Sequence, residues 1–353
     1  MGSPVVFHGG VIMRGLVYHG EEVLKWEVVE DVLPAAHEVK IKVKAAGICG
    51  SDIHGYQGIT GRRIPPMIMG HEFSGVISEV GSAVDSLKTG DRVTAFPMDF
   101  CGDCPSCRKR EVQFCPAKKQ FGVLTTNGAF ADYLCVPAKV CYKIRDTVSH
   151  SAGATVEPLA VALRGVKHAG DLEGKNVLIV GTGTIGLMLL ACVRIQNPAK
   201  VFVSDLSNSR LEAAKLMGAD VTVNPSEADL GEVILAQTES HGLDVSFEAV
   251  GVTPACVQSL QYLRIGGTAV WLGQGEKTVE IGMLDIVTRE LQVVGSFTYS
   301  LDEFEDAVEL LNSGKIDVSS IISKEVPMHQ GPQWFEKLKK PEELIKIILT
   351  SEE

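Results

Sequence analysis

The sequence predicts an α/β protein of two domains, with short β-runs first and a doubly wound parallel sheet after them. Three observations lead there. At 353 residues the chain is longer than one ordinary core can serve. Its N-terminal part, up to about residue 150, carries short β-type runs broken by glycine and proline. From Ser151 on, compact apolar runs alternate with helical patterns, which indicates a parallel sheet covered on both faces.

Taken in order, Met13-Arg14-Gly15-Leu16-Val17 reads as a natural start, so residues 1–12 are expected to be an extension. Val39 to Ala45 alternates apolar residues with lysines, as a half-buried strand with its lysines outward. Gly75 to Val80 and Arg92 to Ala95 continue the pattern, joined by a turn at Lys88-Thr89-Gly90-Asp91. Val177 to Val180 is a buried strand, followed by a glycine turn and a helix from Ile185 to Gln196. Val201 to Ser204, Asp244 to Glu248 and Ala269 to Leu272 are further strands, with a helix at Ser209 to Met217. Helices at Leu301 to Ser313 and Trp334 to Lys340 precede a closing strand at Leu344 to Leu349.

Composition narrows the function. With 45% hydrophobic and 22% charged residues the chain reads as a soluble globular protein. A net charge of −11 argues against a general nucleic-acid or anionic-membrane surface. The apolar stretch from Val177 to Val193 is broken by three glycines, so no membrane span is expected. The N-terminal apolar stretches are too short and interrupted for a signal peptide, and nine cysteines without one imply a reducing, cytoplasmic compartment.

Gly181-Thr182-Gly183-Thr184-Ile185-Gly186 follows a predicted strand and opens a predicted helix. A glycine-rich turn without a ligand is the bland alternative, but the strand–turn–helix context gives each glycine a task. The first makes the turn, the second admits a pyrophosphate close to the backbone, and the third lets helix and strand pack. The N–H groups at the helix start would face the phosphates. Asp205 ends the next strand, where a carboxylate accepts from both ribose hydroxyls and repels a 2′-phosphate. NAD is therefore favoured over NADP, with Arg210 five residues on as a neighbouring cation.

Cys101, Cys104, Cys107 and Cys115 stand at C-x2-C-x2-C-x7-C, a spacing at which four thiolates close a tetrahedral structural zinc site. A disulfide framework belongs to small secreted chains. An iron–sulfur run of the ferredoxin type needs three residues before its last cysteine, and here Arg108 to Phe114 supplies seven. A second metal needs an open position. Cys49 in Gly47-Ile48-Cys49-Gly50-Ser51-Asp52, His71 in Gly70-His71-Glu72, and Glu157 in an otherwise apolar stretch together offer three ligands. An unpartnered buried carboxylate at Glu157 would be costly, which favours a metal or hydrogen-bonding role.

This combination of motifs, from Met13 to the C-terminus, resembles the zinc-dependent medium-chain alcohol dehydrogenases. The resemblance implies a GroES-like, partly open β-barrel catalytic domain over residues 13–156, with the four-cysteine lobe at about 96–118. It further implies a Rossmann domain over 157–294 and a C-terminal segment, 295–353, returning to the first domain. Two zincs per subunit and NAD are the implied cofactors. Liver-type members carry a cysteine where this chain has Glu157, so the chain looks closer to the polyol (sorbitol) and threonine dehydrogenase branch. Carried over to this sequence, that branch implies zinc held by Cys49, His71 and Glu157. Glu72 would be a neighbouring carboxylate or the alternate ligand, and Asp52 would orient His71.

Hydride transfer from a secondary alcohol to the nicotinamide is the implied reaction, with zinc as Lewis acid. Ser51 and His54 match the positions that pass the alcohol proton outward. Arg289-Glu290 resembles a pair that faces polyol hydroxyls in sorbitol dehydrogenases; a solvated charge pair is the alternative. A polyol or vicinal diol is the expected substrate. Threonine and a hexitol phosphate, the latter through Arg62 and Arg63, remain alternatives. Crystallin-like relatives that bind cofactor without catalysis lack the zinc ligands present here, and a nucleic-acid-binding zinc ribbon is disfavoured by the acidic charge. A homodimer or homotetramer is implied, paired through an edge strand near Leu291 to Tyr299.

Overall fold

The computed structural model describes residues 12–340 and 344–351. The expected extension lies outside the described residues except for Ile12, which already belongs to a strand paired with Glu30. The chain forms two compact units, one built from the residues through Glu157 together with those from Ile322 on, the other from Pro158–Ile321.

The first unit is organised around the strand Glu38–Gly47, whose Val39, Ile41, Val43 and Ala45 are fully buried. It is flanked by Glu72–Val80 on one side and Lys346–Thr350 on the other, both antiparallel, and Tyr133–Pro137 also pairs with it. Arg92–Ala95 and Cys141–Lys143 extend the sheet at one end, and Ile322–Pro327 at the other. A smaller sheet joins Val23–Glu30, Ile12–Gly20 and Met67–Ile68. The expectation that the lysines of the central strand all face outward fails at Lys40, which is 4% exposed. Its ammonium donates to Asp31 Oδ2 at 2.7 Å and Glu79 Oε1 at 3.0 Å, and lies over the Tyr133 ring. A buried lysine persists when it is paired in this way.

In the second unit six parallel strands run in the order Val221–Val223, Lys200–Ser204, Asn176–Val180, Leu243–Glu248, Leu263–Trp271, Gln292–Gly295. The inner strands are near-continuous apolar runs because both faces are covered; Val177, Leu178 and Ile179 are fully buried. The order reverses between Asn176–Val180 and Leu243–Glu248, the switch point at which doubly wound sheets take ligands outside their carboxyl ends. The return expected at residue 295 instead comes at Ile322. Helix Leu301–Asn312 stays with the second unit because Glu303 anchors it there. Glu303 Oε2 accepts from Ser300 N at 2.7 Å and from Arg164 Nη1 at 3.3 Å, and Oε1 meets Lys167 Nζ at 3.2 Å. Burial alone would raise the Glu303 carboxyl, but Ser300 and Lys167 outweigh it and hold the group at about 2. Among the described residues no helix is long and apolar enough to cross a membrane.

Candidate metal centres and dinucleotide site

The register of the central strand builds the first metal centre. Gly47 pairs with Glu72 on one neighbour and with Ile348 on the other, so the flanking strands place Glu72 and Lys346 beside the turn that follows. A side chain at Gly47 would put its Cβ 2.2 Å from Glu72 Oε2 and would push that carboxylate aside. Two residues on, Cys49 caps helix Gly50–Tyr56 in an extended conformation, with φ −93° and ψ 151°. The chain thus brings Cys49, His71 and Glu72 together, with one ligand atom from each lying within 4.8 Å of the others. Thiolate, imidazole and carboxylate form a donor set suited to zinc with one position left open.

Asp52 lies against two of these groups. It is fully buried, accepts from Cys49 N at 3.2 Å, and places Oδ1 3.4 Å from His71 Nδ1. The other imidazole nitrogen, Nε2, is thereby left for a metal. Arg63 Nη2 donates to the same Oδ1 at 2.9 Å. Burial works to raise the Asp52 carboxyl, but His71 and Arg63 prevail and hold it below the usual carboxylate range. Arg63 is itself 7% exposed, so the sequence reading of Arg62 and Arg63 as a solvated or phosphate-binding pair does not hold for Arg63.

Sequence reasoning missed Lys346. Its ammonium donates to both Glu72 oxygens, at 3.0 and 2.7 Å, and to Ile48 O at 3.0 Å, and the residue is 2% exposed. Burial disfavours its charge, yet Glu72, Cys49 and Glu157 raise its pKa above the ordinary lysine value. The available signal was a lysine inside the apolar run Ile345-Lys346-Ile347-Ile348. Glu157, second residue of helix Val156–Ala169, is buried but outside the three-residue ligand group, where Glu72 stands instead. Ser51 and His54 are both exposed on helix Gly50–Tyr56, three residues apart and so on one face.

The four cysteines of the lobe also converge, their sulfurs all within 4.8 Å of one another. Cys101 Sγ lies 3.8 Å from Cys107 Sγ and 3.6 Å from Cys115 Sγ. Tetrahedral zinc–thiolate geometry, with bonds of about 2.3 Å, places sulfurs about 3.8 Å apart. Disulfide bonds would need about 2.05 Å, and all four thiols are free. Cys104 starts the short helix Pro105–Arg108 and accepts from Cys107 N at 3.5 Å, a local fold that turns two of the sulfurs inward. The residues fit a structural zinc.

In the second unit the strand Asn176–Val180 passes through Gly181, at φ +92°, into helix Thr184–Arg194 with Gly183 as its N-cap. A Cβ on Gly186 would lie 1.8 Å from Gly181 O, whereas one on Gly183 would meet nothing within 4 Å. Helix and turn are thus in contact at the third glycine, and the second leaves its approach open for a phosphate. Thr184 and Ile185 form the first helical turn. Asp205 directly follows Lys200–Ser204 and ties two turns together, accepting from Thr182 N at 2.7 Å and Ser207 N at 2.8 Å. Arg210 lies in the first turn of helix Asn208–Leu216, where its N–H donates to Ser207 Oγ at 3.4 Å. The buried hydroxyl of Thr182 has no hydrogen-bond partner, as expected of a group that a ligand satisfies. These residues fit a dinucleotide.

Arg289 is engaged elsewhere. Its guanidinium donates to the carbonyls of Leu260, at 3.3 Å, and Leu263, and Glu290 follows with φ +50°. The pair expected to face a polyol therefore includes an arginine that binds main chain, because the chain turns sharply before the edge strand Gln292–Gly295.

Comparison with known proteins agrees with this geometry. Residues 35–146 match the alcohol dehydrogenase GroES-like domain, and residues 184–313 match the zinc-binding dehydrogenase domain. D-xylulose reductase A of Aspergillus niger is 35% identical over 310 residues, covering 86% of this chain and 87% of that protein. A protein of Sinorhizobium meliloti 1021 whose crystal structure holds NADP superposes with a TM-score of 0.89 at 33% identity, over 96% of this chain and 99% of that one. The 2R,3R-butanediol dehydrogenase of Bacillus subtilis does so with a TM-score of 0.87 at 30% identity, over 96% and 100%.

Proposed function

The chain belongs to the zinc-binding alcohol dehydrogenase family, and on that premise we propose that it oxidises a secondary alcohol of a polyol or vicinal diol to a ketone, with NAD as the preferred acceptor. The observation that carries this reading is the convergence of Cys49, His71 and Glu72 on one point. Zinc held there would act as Lewis acid for the alcohol, and NAD would accept the hydride.

The chain's own residues do the rest. Asp52 Oδ1, 3.4 Å from His71 Nδ1, is placed to orient the imidazole, and Arg63 holds Asp52. Lys346 cancels the charge of Glu72, so thiolate, carboxylate and ammonium together contribute a single negative charge. A doubly charged cation is then only partly neutralised, which favours ionisation of a nearby hydroxyl. Ser51 and His54, exposed on one helix face, are suited to carry that proton to solvent. Glu157, buried in the first turn of helix Val156–Ala169, adds negative charge that favours the Lys346 ammonium.

Asp205 supports NAD, since a carboxylate there repels a 2′-phosphate. The substrate class follows the relatives, a xylulose reductase and a butanediol dehydrogenase. A phosphorylated hexitol is less well supported, because Arg63 is committed to Asp52. The residues through Glu157 with those from Ile322 on as catalytic unit, its cysteine lobe holding structural zinc, complete the assignment. A homo-oligomer formed through the edge strand is supported by exposed Ile265, Met283, Leu284, Val287 and Val293 around Gln292–Gly295. Nine free cysteines accord with a reducing, cytoplasmic setting.

The test is NADH formation across xylitol, sorbitol, butane-2,3-diol, threonine and a hexitol phosphate, repeated with NADP and with Cys49→Ala. Turnover of one polyol or diol with NAD, abolished in the variant, is expected. Turnover of threonine or the phosphate alone would overturn the substrate, and turnover unaffected by Cys49→Ala would overturn the site.

A further inference from the structure

At the end of strand Leu243–Glu248, beside the switch point, Glu248 is fully buried. Its Oε1 accepts from Val250 N at 2.8 Å and Gly251 N at 2.7 Å, so the carboxylate bends the chain that follows it into a tight turn. Its backbone carbonyl accepts from Leu272 N at 2.8 Å and Gly273 N at 3.2 Å, and so holds the next turn as well. The two turns are in main-chain contact. A Cβ on Gly251 would lie 2.3 Å from Gly275 N, and one on Gly273 would lie 2.1 Å from Gly251 N and 2.5 Å from Glu248 Oε2. Val250 in turn projects over the first glycine turn, its Cγ2 2.5 Å from where a Cβ on Gly181 would stand.

One side chain thus sits where the turns after three consecutive strands meet, on the edge where a doubly wound sheet takes its ligand. Glu248 Oε2 lies against the turn at Gly273 without a hydrogen bond of ordinary geometry. Burying a carboxylate at such a junction is costly unless it organises the turns around it. Burial raises the Glu248 carboxyl, while the backbone N–H groups of Gly251, Val250 and Gly273 act in the opposite direction. The adenosine side of the crevice is anchored separately, by Asp205 on Thr182 N at 2.7 Å and by Ser204 O on Gly181 N at 2.8 Å. What Glu248 shapes is the far half, across the switch point, where the second mononucleotide of a dinucleotide lies.

We propose that Glu248 is a positioning residue for the nicotinamide half of the cofactor, holding the turns at Val250-Gly251 and Gly273-Gly275 in their binding shape. This rests on the dinucleotide reading of the site. It assigns a task to a carboxylate that neither the metal centres nor the glycine motif uses.

The test compares NADH and ADP binding, by fluorescence and by competition, in the unaltered protein, Glu248→Ala and Glu248→Gln. ADP carries the adenosine half only. In Glu248→Ala the two turn N–H groups lose their acceptor, and the NADH dissociation constant is expected to rise by about tenfold or more while that of ADP stays within about twofold. Glutamine retains a carbonyl oxygen with two lone pairs, so Glu248→Gln is expected to restore NADH binding to within about threefold. Equal weakening of NADH and ADP, or no weakening of either, would overturn the proposal; so would a failure of glutamine to rescue. Should the alanine variant not fold, Glu248→Asp, one methylene short of the turn, is expected to show the same selective loss, and normal NADH binding there would count against it. Failure of the unaltered protein to bind NADH would instead bring down the dinucleotide reading itself.

Discussion

Lys346 Nζ grips both carboxylate oxygens of Glu72, at 2.7 and 3.0 Å, from 274 positions further along the chain. The pair is almost wholly removed from water and stands beside Cys49 and His71. A buried ion pair of this kind contributes little net stability, but losing one partner strands the other charge.

Lys346→Met should therefore destabilise the metal-free protein by about 3–5 kcal/mol. Zinc would supply the missing positive charge to Glu72, so added zinc should recover more stability in the variant than in the unaltered protein. Thermal unfolding with and without a chelator reads both effects. An equal zinc response in the two proteins would show that Glu72 does not face the metal.

Cys107→Ser should remove one zinc per chain and leave the other. Cys107 is buried among three further sulfurs, and a hydroxyl is a poor soft-metal ligand. Metal analysis after purification without chelator checks the count. Retention of two zincs would mean that three thiolates suffice in the lobe.

Asp205→Ser should raise the KM for NAD by about tenfold and improve relative use of NADP, because the carboxylate that repels a 2′-phosphate is gone. Serine still offers an oxygen near Thr182 N, so the turn held at 2.7 Å should persist. Unchanged cofactor preference in steady-state rates would remove Asp205 from the ribose site.

His150 should make the fold sensitive to mild acid. Burial, with Arg92 and Lys44 nearby, lowers its imidazole from 6.5 to about 4, and Ser74 Oγ lies 3.1 Å from its Nδ1. The neutral ring is favoured in the folded state, so below pH 6.5 the unfolded chain binds the extra proton. This contribution is complete above pH 6.5 and is lost as pH falls toward about 4. His150→Gln should flatten that part of the stability–pH curve in denaturant titrations; an unchanged slope would assign the sensitivity to other groups.

Much of the architecture was legible in the chain because its signals are local. Val177 to Val180, the glycine turn and the following helix lie next to one another in sequence, so their order and spacing already express strand, turn and helix. The four cysteines fall within one short lobe for the same reason. Lys40 was misread because alternation assigns a face but does not reveal that Asp31 and Glu79 pair with the ammonium there. The C-terminal boundary was misplaced because Glu303 meets Arg164 and Lys167, partners more than 130 residues earlier.

The sequence by itself therefore determined the two-domain α/β plan, the glycine turn at Gly181 to Gly186, and two sets of candidate metal ligands. Only the tertiary structure decided that Glu72 joins Cys49 and His71, that Arg63 locks Asp52, and that Lys346 balances the centre. Motif spacing is written within a few turns of chain. Charge balance at a buried site is set by strand register, here the pairing of Gly47 with Glu72 on one side and Ile348 on the other, which no local stretch encodes.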